Sequence, residues 1–372
     1  MKIAFDAYPI ASPALSGVGI HAYNIARGIA KRGEVDCELL LYDFLRRRGS
    51  EKILKSRIPN TPVLQNNILP YGVYAEIWNV LPLCYNSLFG SKADIYHFFN
   101  FLVPPKVKGK IINTVHDLVF YTFPETMDKS NYRRMIKNVG RSCEMSDIII
   151  TVSENSKREI TKYLNIPESK IRVVYNGVNH ELFNRDADTK THLSLPEDYI
   201  LYIGTLEPRK NLVTLLKAFS QTKAAKDGVK LVIAGAKGWE YKEIYEKAKV
   251  LNTDVVFTGY IPSEELAALY KGAKVFAFPS LYEGFGIPPL EAMACGTPVV
   301  TTSVSSLPEV VGDAAISISD PLSSEELANA LDTLIYKEET REKCIAEGLS
   351  QAEKFTWDKS CDTVMKIYKE LN

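Results

Sequence analysis

The sequence predicts an α/β protein made of two doubly wound units, and three observations carry that prediction. Short apolar runs alternate with amphipathic helical stretches twice over, first across residues 3–175 and again across 199–301. Between the two series, Asn176-Gly177-Val178 signals a turn, and polar sequence continues to about Asp198. At 372 residues the chain exceeds what one typical core organises. The expected domains are 1–185, joined by a C-terminal crossover helix over about 357–372, and 186–356.

In the first series, strands are expected at 3–5, 39–41, 95–98, 111–115, 148–150 and 171–175. Helices are expected at about 19–30, 74–88 and 129–145, with another capped by Ser153; the region between 41 and 74 is hard to read. The second series has strands at 199–204, 231–234, 255–258, 275–278 and 298–301, with helices starting near Asn211, Trp239 and Ser263. A loop, Ser305-Ser306-Leu307-Pro308, then precedes two or three helices, and the last, from about Trp357, crosses back to brace the first domain. Alternation of this kind builds parallel sheets covered on both faces, here two domains facing across a cleft.

Composition narrows the class. A 46% apolar, 24% charged chain is that of a globular protein, and no run of about 18 apolar residues exists to span a bilayer. The start, Met1-Lys2-Ile3-Ala4-Phe5-Asp6, reaches an acid too early for a secretion signal, so a cytoplasmic location is expected. Six scattered cysteines, with no Cys-x-x-Cys pair, read as free thiols. Net charge is zero, yet residues 1–180 hold 24 basic and 16 acidic side chains (+8) and the remainder 21 and 29 (−8). The basic half, densest at Arg46-Arg47-Arg48 and at Lys106, Lys108 and Lys110, suggests an anionic partner such as a phospholipid surface or a phosphate-bearing acceptor. No nucleic-acid module is recognisable.

The chemistry concentrates between Pro279 and Pro298. Gly284 and Gly286 let backbone approach a ligand, Pro288 and Pro289 open a helix, and Gly296 stops it. A helix start of this kind binds phosphate, and Glu283 in the loop and Glu291 in the first turn frame it; an ordinary strand-turn-helix with solvated acids is the plainer reading. Arg209 and Lys210 leave the first strand of the second domain and can neutralise a diphosphate; the plainer reading is a solvated pair. His116-Asp117 follows a strand of the first domain, with Asp117 expected to set the His116 tautomer, and His97 has similar placement as an acceptor-side candidate. Gly17-Val18-Gly19-Ile20-His21-Ala22, with Asp43 beyond the second strand, fits a dinucleotide fingerprint and makes an oxidoreductase a rival. Because residues 6–16 separate the glycines from the first strand, a loop offering amides to a phosphate fits better. Asp186-Ala187-Asp188 has the spacing of a metal-binding pair but lies in a linker, and no metal site is expected.

Taken together, Glu-Pro-Arg-Lys-Asn from Glu207, Phe-Thr-Gly-Tyr-Ile-Pro from Phe257 and Glu-Gly-Phe-Gly-x-x-x-x-Glu from Glu283, in that order, resemble the retaining GT-B glycosyltransferases of family four. The resemblance spans the whole chain. It implies that Glu283, with amides of Gly284, Phe285 and Gly286, holds the donor sugar, and that Glu291 holds the ribose. It implies also that Arg209 and Lys210 grip the diphosphate with the Gly17 and Gly19 loop, that Gly259 and Tyr260 lie beside the base, and that His116 lies near the reacting carbon. No cofactor or metal is implied. Two departures are Ser16, where relatives often have glycine, and Thr205, where many carry arginine. The Gly-Thr-Leu-Glu-Pro-Arg-Lys-Asn form is similar to bacterial mannosyltransferases of surface polysaccharide, the O-antigen of lipopolysaccharide among them. GDP-mannose is thus the first donor expected and a UDP-sugar the second, with a glycan or lipid-linked acceptor and peripheral contact with the inner membrane face. A non-catalytic nucleotide-sugar sensor is the alternative of another class.

Overall fold

A computed structural model of the chain describes all residues except 45–48, 68, 79–82, 188–190, 252–253 and 372, and the side chains of 75 and 76. Arg46-Arg47-Arg48 and Asp188 therefore lie outside the described residues. The first domain carries a seven-stranded sheet: β1 (Lys2–Asp6), β2 (Asp36–Tyr42), β3 (Val63–Asn66), β4 (Ile95–Phe98), β5 (Lys110–Thr114), β6 (Ile148–Thr151) and β7 (Ile171–Val173). Its order is β3-β2-β1-β4-β5-β6-β7, and every pairing is parallel. β4 and β6 are buried throughout, as strands covered on both faces must be.

The second domain carries six strands: β8 (Tyr199–Ile203), β9 (Lys230–Ala234), β10 (Val255–Gly259), β11 (Val275–Phe278), β12 (Val299–Thr302) and β13 (Ile316–Ile318). They are ordered β10-β9-β8-β11-β12-β13 and are again all parallel. In each sheet the winding reverses beside the first strand, between β1 and β4 and between β8 and β11. Loops leave such a point in opposite directions, which opens room for a ligand at the carboxyl ends of those strands.

The expected strands are present, and the described residues hold two more. β3 and β13 are short edge strands of four and three residues with polar positions, too brief for a periodicity to register. The single helix expected at 74–88 is instead two, Tyr71–Ile77 and Tyr85–Phe89, the second closed by Gly90 at φ +67°. The first helix begins at Gly17 rather than about Gly19, because Ser16 caps it.

By compactness, one unit comprises 1–118, 130–176 and 357–372, and the other 119–129 and 177–356. The chain changes unit at the Asn176-Gly177 turn rather than after 185. Residues beyond that turn already pack with the second unit: the Val178 amide donates to Phe355 (3.1 Å), and Phe183 meets the Tyr270 ring edge-on at 5.9 Å. Phe123, from the separate segment 119–129, likewise lies 5.7 Å from Tyr282.

The helix Trp357–Leu371 belongs to the first domain, where Cys361, Val364, Met365, Ile367 and Tyr368 join the core of β1, β2 and the helix Gly17–Arg32. Gly28 makes this packing possible, since a Cβ there would run into Cys361 Sγ. Arg32 pairs with Asp362 at 2.6 Å and Arg172 with Glu370 at 3.1 Å. In the same core His97 is hydrogen-bonded through Nδ1 to the Tyr368 hydroxyl (2.7 Å) and through Nε2 to Thr114 (2.9 Å). The expected acceptor-side role of His97 is thereby corrected: both ring nitrogens are committed to the core. Tyr368→Phe leaves a buried imidazole nitrogen unpaired, so it should cost about 1–3 kcal/mol in chemical denaturation.

Candidate active site

The site of the second domain is assembled around the β8/β11 reversal. After β8 the chain turns through Gly204, and the β8 and β9 loops meet backbone to backbone. A Cβ on Gly235 would collide with the Gly204 carbonyl. Pro208–Lys210 then forms one 3-10 turn that ends on Asn211 at φ +59°. The Asn211 amide side chain donates to the carbonyls of Pro279 (3.0 Å) and Pro321 (2.6 Å), and the Leu281 amide donates to the Arg209 carbonyl (2.9 Å). The loops after β8 and β11 are thus tied together, which brings two cations to one carboxylate.

Arg209 donates to Glu283 Oε2 at 3.0 Å, to the Tyr282 carbonyl at 2.7 Å and to Glu207 at 2.7 Å. Lys210 Nζ donates to Glu283 Oε1 at 2.6 Å and stands 5.2 Å from the Phe278 ring centroid. Glu283 is 7% exposed. Burial by itself would raise its carboxyl, but Lys210 and Arg209 overcome that and hold it down at about 2. Lys210 moves the other way: burial first, and then the neighbouring guanidinium, push its ammonium below the ordinary value. Glu283 is therefore ionised across the neutral range.

The end of β12 buttresses this loop. The Glu283 amide donates to Ser305 Oγ (2.9 Å), and Ser306 Oγ donates to the carbonyls of Glu283 (2.9 Å) and Phe285 (2.8 Å), fixing the run through Gly284. Gly286 sits at φ +110°, where a Cβ would also come within 2.9 Å of Leu307. In the sequence Asn211 stands only as a helix start and the end of a motif, and Ser305 and Ser306 only as a loop, with no role in the site.

Glu291 lies in the helix Ile287–Ala294, with prolines in its first turn as expected. It is the fifth residue, so it sits in the second turn and not the first. Half-buried, it accepts from the Tyr270 hydroxyl at 2.9 Å. Burial raises its carboxyl to about 7, against the downward pull of that hydrogen bond. Gly259 ends β10 at φ +75°, its carbonyl accepting the Gly235 amide (2.8 Å), and Tyr260 is 59% exposed beside it.

In the first domain His116 follows β5, nearly buried. Its Nε2 is hydrogen-bonded to the Phe99 carbonyl at 2.8 Å. A carbonyl only accepts, so Nε2 carries the proton and Nδ1 keeps its lone pair. The tautomer is therefore set by Phe99 and not by Asp117. Burial, then the neighbouring His21, lower His116 to about 3, so the ring is neutral. His21, also absent from the expected set, packs perpendicular to it with centroids 5.0 Å apart and is bonded through Nδ1 to Asn176 Oδ1 at 2.7 Å. Gly17 opens the helix with open space around it. Gly19 donates its amide to Ser16 Oγ at 3.3 Å, and a Cβ there would lie 2.9 Å from the Pro9 carbonyl, so packing alone requires glycine. Asp43 is buried beyond β2, and Asp186 is exposed in a turn whose amide donates to Asn184 (2.9 Å).

Two doubly wound parallel sheets, the second closed at its strand ends by two cations on one buried carboxylate, define an α/β protein of two Rossmann-like domains. The model "Glycosyltransferase Family 4" matches residues 15–182, and "Glycosyl transferases group 1" matches 184–351. The chain is 32% identical to the O-antigen chain mannosyltransferase B of Escherichia coli over 100% of both chains. It is 27% identical to the O-antigen chain mannosyltransferase RfbU of Salmonella typhimurium, covering 82% of this chain and 84% of that one. The fold is shared with Anabaena Alr3699/HepE, solved with UDP and glucose, at a TM-score of 0.77 and 19% identity over 100% of both chains. It is shared too with a sucrose-phosphate synthase from Thermosynechococcus elongatus, at 0.78 and 21% over 100% and 99%. The chain belongs to the family-four glycosyltransferases of GT-B fold, and the oxidoreductase reading falls.

The raised Glu291 carboxyl has a stability consequence. Its folded value lies above the ordinary 4.5, so its favourable contribution is full below about 4.5 and is lost as pH rises through about 7. Glu291→Gln should therefore gain stability relative to the unsubstituted protein as pH is raised across that window, read from denaturation midpoints.

Proposed function

We propose that the chain transfers mannose from GDP-mannose, with retention at the anomeric carbon, to a glycan or lipid-linked acceptor in cell-surface polysaccharide biosynthesis. The observation that carries this reading is the pair of cations, Arg209 and Lys210, converging on Glu283 at the β8/β11 reversal. A nucleoside diphosphate supplies the anion such a pair is built to hold. Mannose follows the mannosyltransferases to which the chain is similar; the guanine nucleotide follows the resemblance of the Gly204–Asn211 run, and a UDP-sugar is the second donor.

Glu283 neutralises both cations. When the diphosphate takes them over, the carboxylate is released to accept hydroxyls of the donor sugar, together with amides of Gly284, Phe285 and Gly286. At about 2, Glu283 is too weak a base to deprotonate an acceptor near neutrality. The acceptor hydroxyl oxygen bonds to the anomeric carbon on the face the diphosphate leaves, the carbon–oxygen bond to phosphate breaks, and the departing phosphate takes the hydroxyl proton. Arg209 and Lys210 stabilise the charge that develops on it, the task a metal performs elsewhere. Glu291 holds the ribose, Gly259 and Tyr260 flank the base, and His116 accepts a sugar hydroxyl at Nδ1. The helix start at Gly17 and Gly19 adds phosphate contact, Gly17 supplying the amide that Ser16 does not take.

The +8 half of the chain supports peripheral contact with an anionic membrane. Arg133, Lys137 and Arg141, exposed at four-residue spacing on the helix Lys129–Met145, form the contact face. No helix among the described residues is long and apolar enough to cross a membrane.

Lys210→Ala and Glu283→Gln should each lower transfer at least about a hundredfold in folded protein. Glu283→Gln should bind GDP at least as tightly by calorimetry, because its cations are no longer neutralised. Undiminished transfer in either variant would sink the assignment, and donor hydrolysis across GDP- and UDP-sugars, with and without a chelator, reads out the nucleotide and the metal. Binding to phosphatidylglycerol vesicles should weaken as salt rises and in the triple Arg133, Lys137 and Arg141 to Glu variant.

A further inference from the structure

We propose that His21 is a positioning residue for the transfer: anchored on Asn176, it fixes the ring plane of His116 and so the direction in which the His116 Nδ1 lone pair points. That this lone pair meets a sugar hydroxyl rests on the sugar-transfer reading above; the arrangement of the rings rests on the first domain alone.

His21 is fully buried in the second turn of the helix Gly17–Arg32. No ligand reaches it there, so any effect it has on the chemistry passes through its neighbours. Its Nδ1 lies 2.7 Å from Asn176 Oδ1. An amide oxygen only accepts, so Nδ1 carries the proton. Nε2 is buried and has no hydrogen-bond partner among the described residues. Burial lowers the ring to about 4, against the upward pull of the Asn176 bond, and leaves it neutral. Three rings pack on it: His116 at 5.0 Å with planes at 89°, Phe99 at 6.0 Å and 70°, and Trp357 at 6.3 Å and 69°.

Packing does not call for histidine at this position. A phenyl ring would meet the same three neighbours without leaving a buried nitrogen unpaired. What only the imidazole supplies is the bond to Asn176, and the place of that residue gives the bond its use. Asn176 is the last residue of the first unit before the chain leaves it, and Trp357 is the first on its return. His116 stands two residues before the other exit, after Leu118. The backbone at these points is pinned as well: Ser360 Oγ donates to the Tyr175 carbonyl at 2.6 Å, and Ser156 Oγ to the His116 carbonyl at 3.1 Å. The bond from His116 Nε2 to the Phe99 carbonyl fixes that atom and leaves the ring plane free to turn about it. The perpendicular His21 ring, with Phe101 at 5.5 Å, blocks that turn.

The test compares His21→Phe, which keeps a ring and loses the bond, with Asn176→Leu, which removes the same bond and leaves the helix untouched. In nitrogen-edited NMR of the histidine rings in the full chain, both variants should move the His116 Nδ1 signal, and cooperative denaturation shows that they fold. In steady-state hydrolysis of GDP-mannose, both should lower kcat about tenfold or more while KM changes by less than about twofold. In a His116→Ala background neither should lower kcat further, because the effect passes through that ring. An unmoved His116 signal, an unchanged kcat, or a further loss of the same size in the His116→Ala background would overturn the assignment. If the unsubstituted protein turned over no nucleotide-sugar while the His116 signal still moved in both variants, the role in transfer would fall with the sugar-transfer reading and the ring arrangement would stand.

Discussion

A single buried carboxylate held between two cations organises the second domain. Glu283 could not stay ionised at 7% exposure without Lys210 and Arg209, because desolvation alone drives its carboxyl upward. The cations in turn could not be packed side by side without it. The backbone is built to serve this triangle. Asn211 ties one loop to the other, Ser305 and Ser306 brace the turn after β11, and Gly204 and Gly235 let two strand ends meet. A ligand that substitutes for one corner changes what the other two can do.

Three carboxyl groups on this chain meet three environments and settle at different acidities. Glu283 is depressed to about 2 by opposite charge, Glu291 raised to about 7 by burial with one tyrosine donor, and Asp6 raised to about 6 by burial with one amide donor. The histidines follow the same rule with the opposite sign. His21, His97 and His116 are all lowered by desolvation. They act as neutral hydrogen-bonding groups rather than as charges.

Much of this was legible along the chain. The strands whose apolar runs reach four or more residues, such as β8 and β11, lie where expected, because strands buried on both faces impose continuous apolarity. Glu283, Arg209 and Lys210 stood out because glycine, proline and charge crowd the ends of β8 and β11. What stayed hidden shares a cause. β3 and β13 are edges with one neighbour each and so carry weak patterns. Asn211, Ser306 and His21 look like ordinary residues until the carbonyls and rings they meet are known. The tautomer of His116 was assigned to its sequence neighbour Asp117, yet a carbonyl seventeen positions away decides it.

The sequence by itself determined two parallel sheets, the turn at Asn176-Gly177, and which charged groups stand at strand ends, since periodicity, turn chemistry and charge are local properties. Tertiary structure alone decided that Arg209 meets a carboxylate 74 positions away and that Glu283 and Glu291 part by several units in acidity. It alone assembled Tyr8, Tyr42, Tyr71 and Tyr74 into one row beside Asp6. Desolvation and ring contact depend on atoms brought from distant segments, and no local pattern carries them.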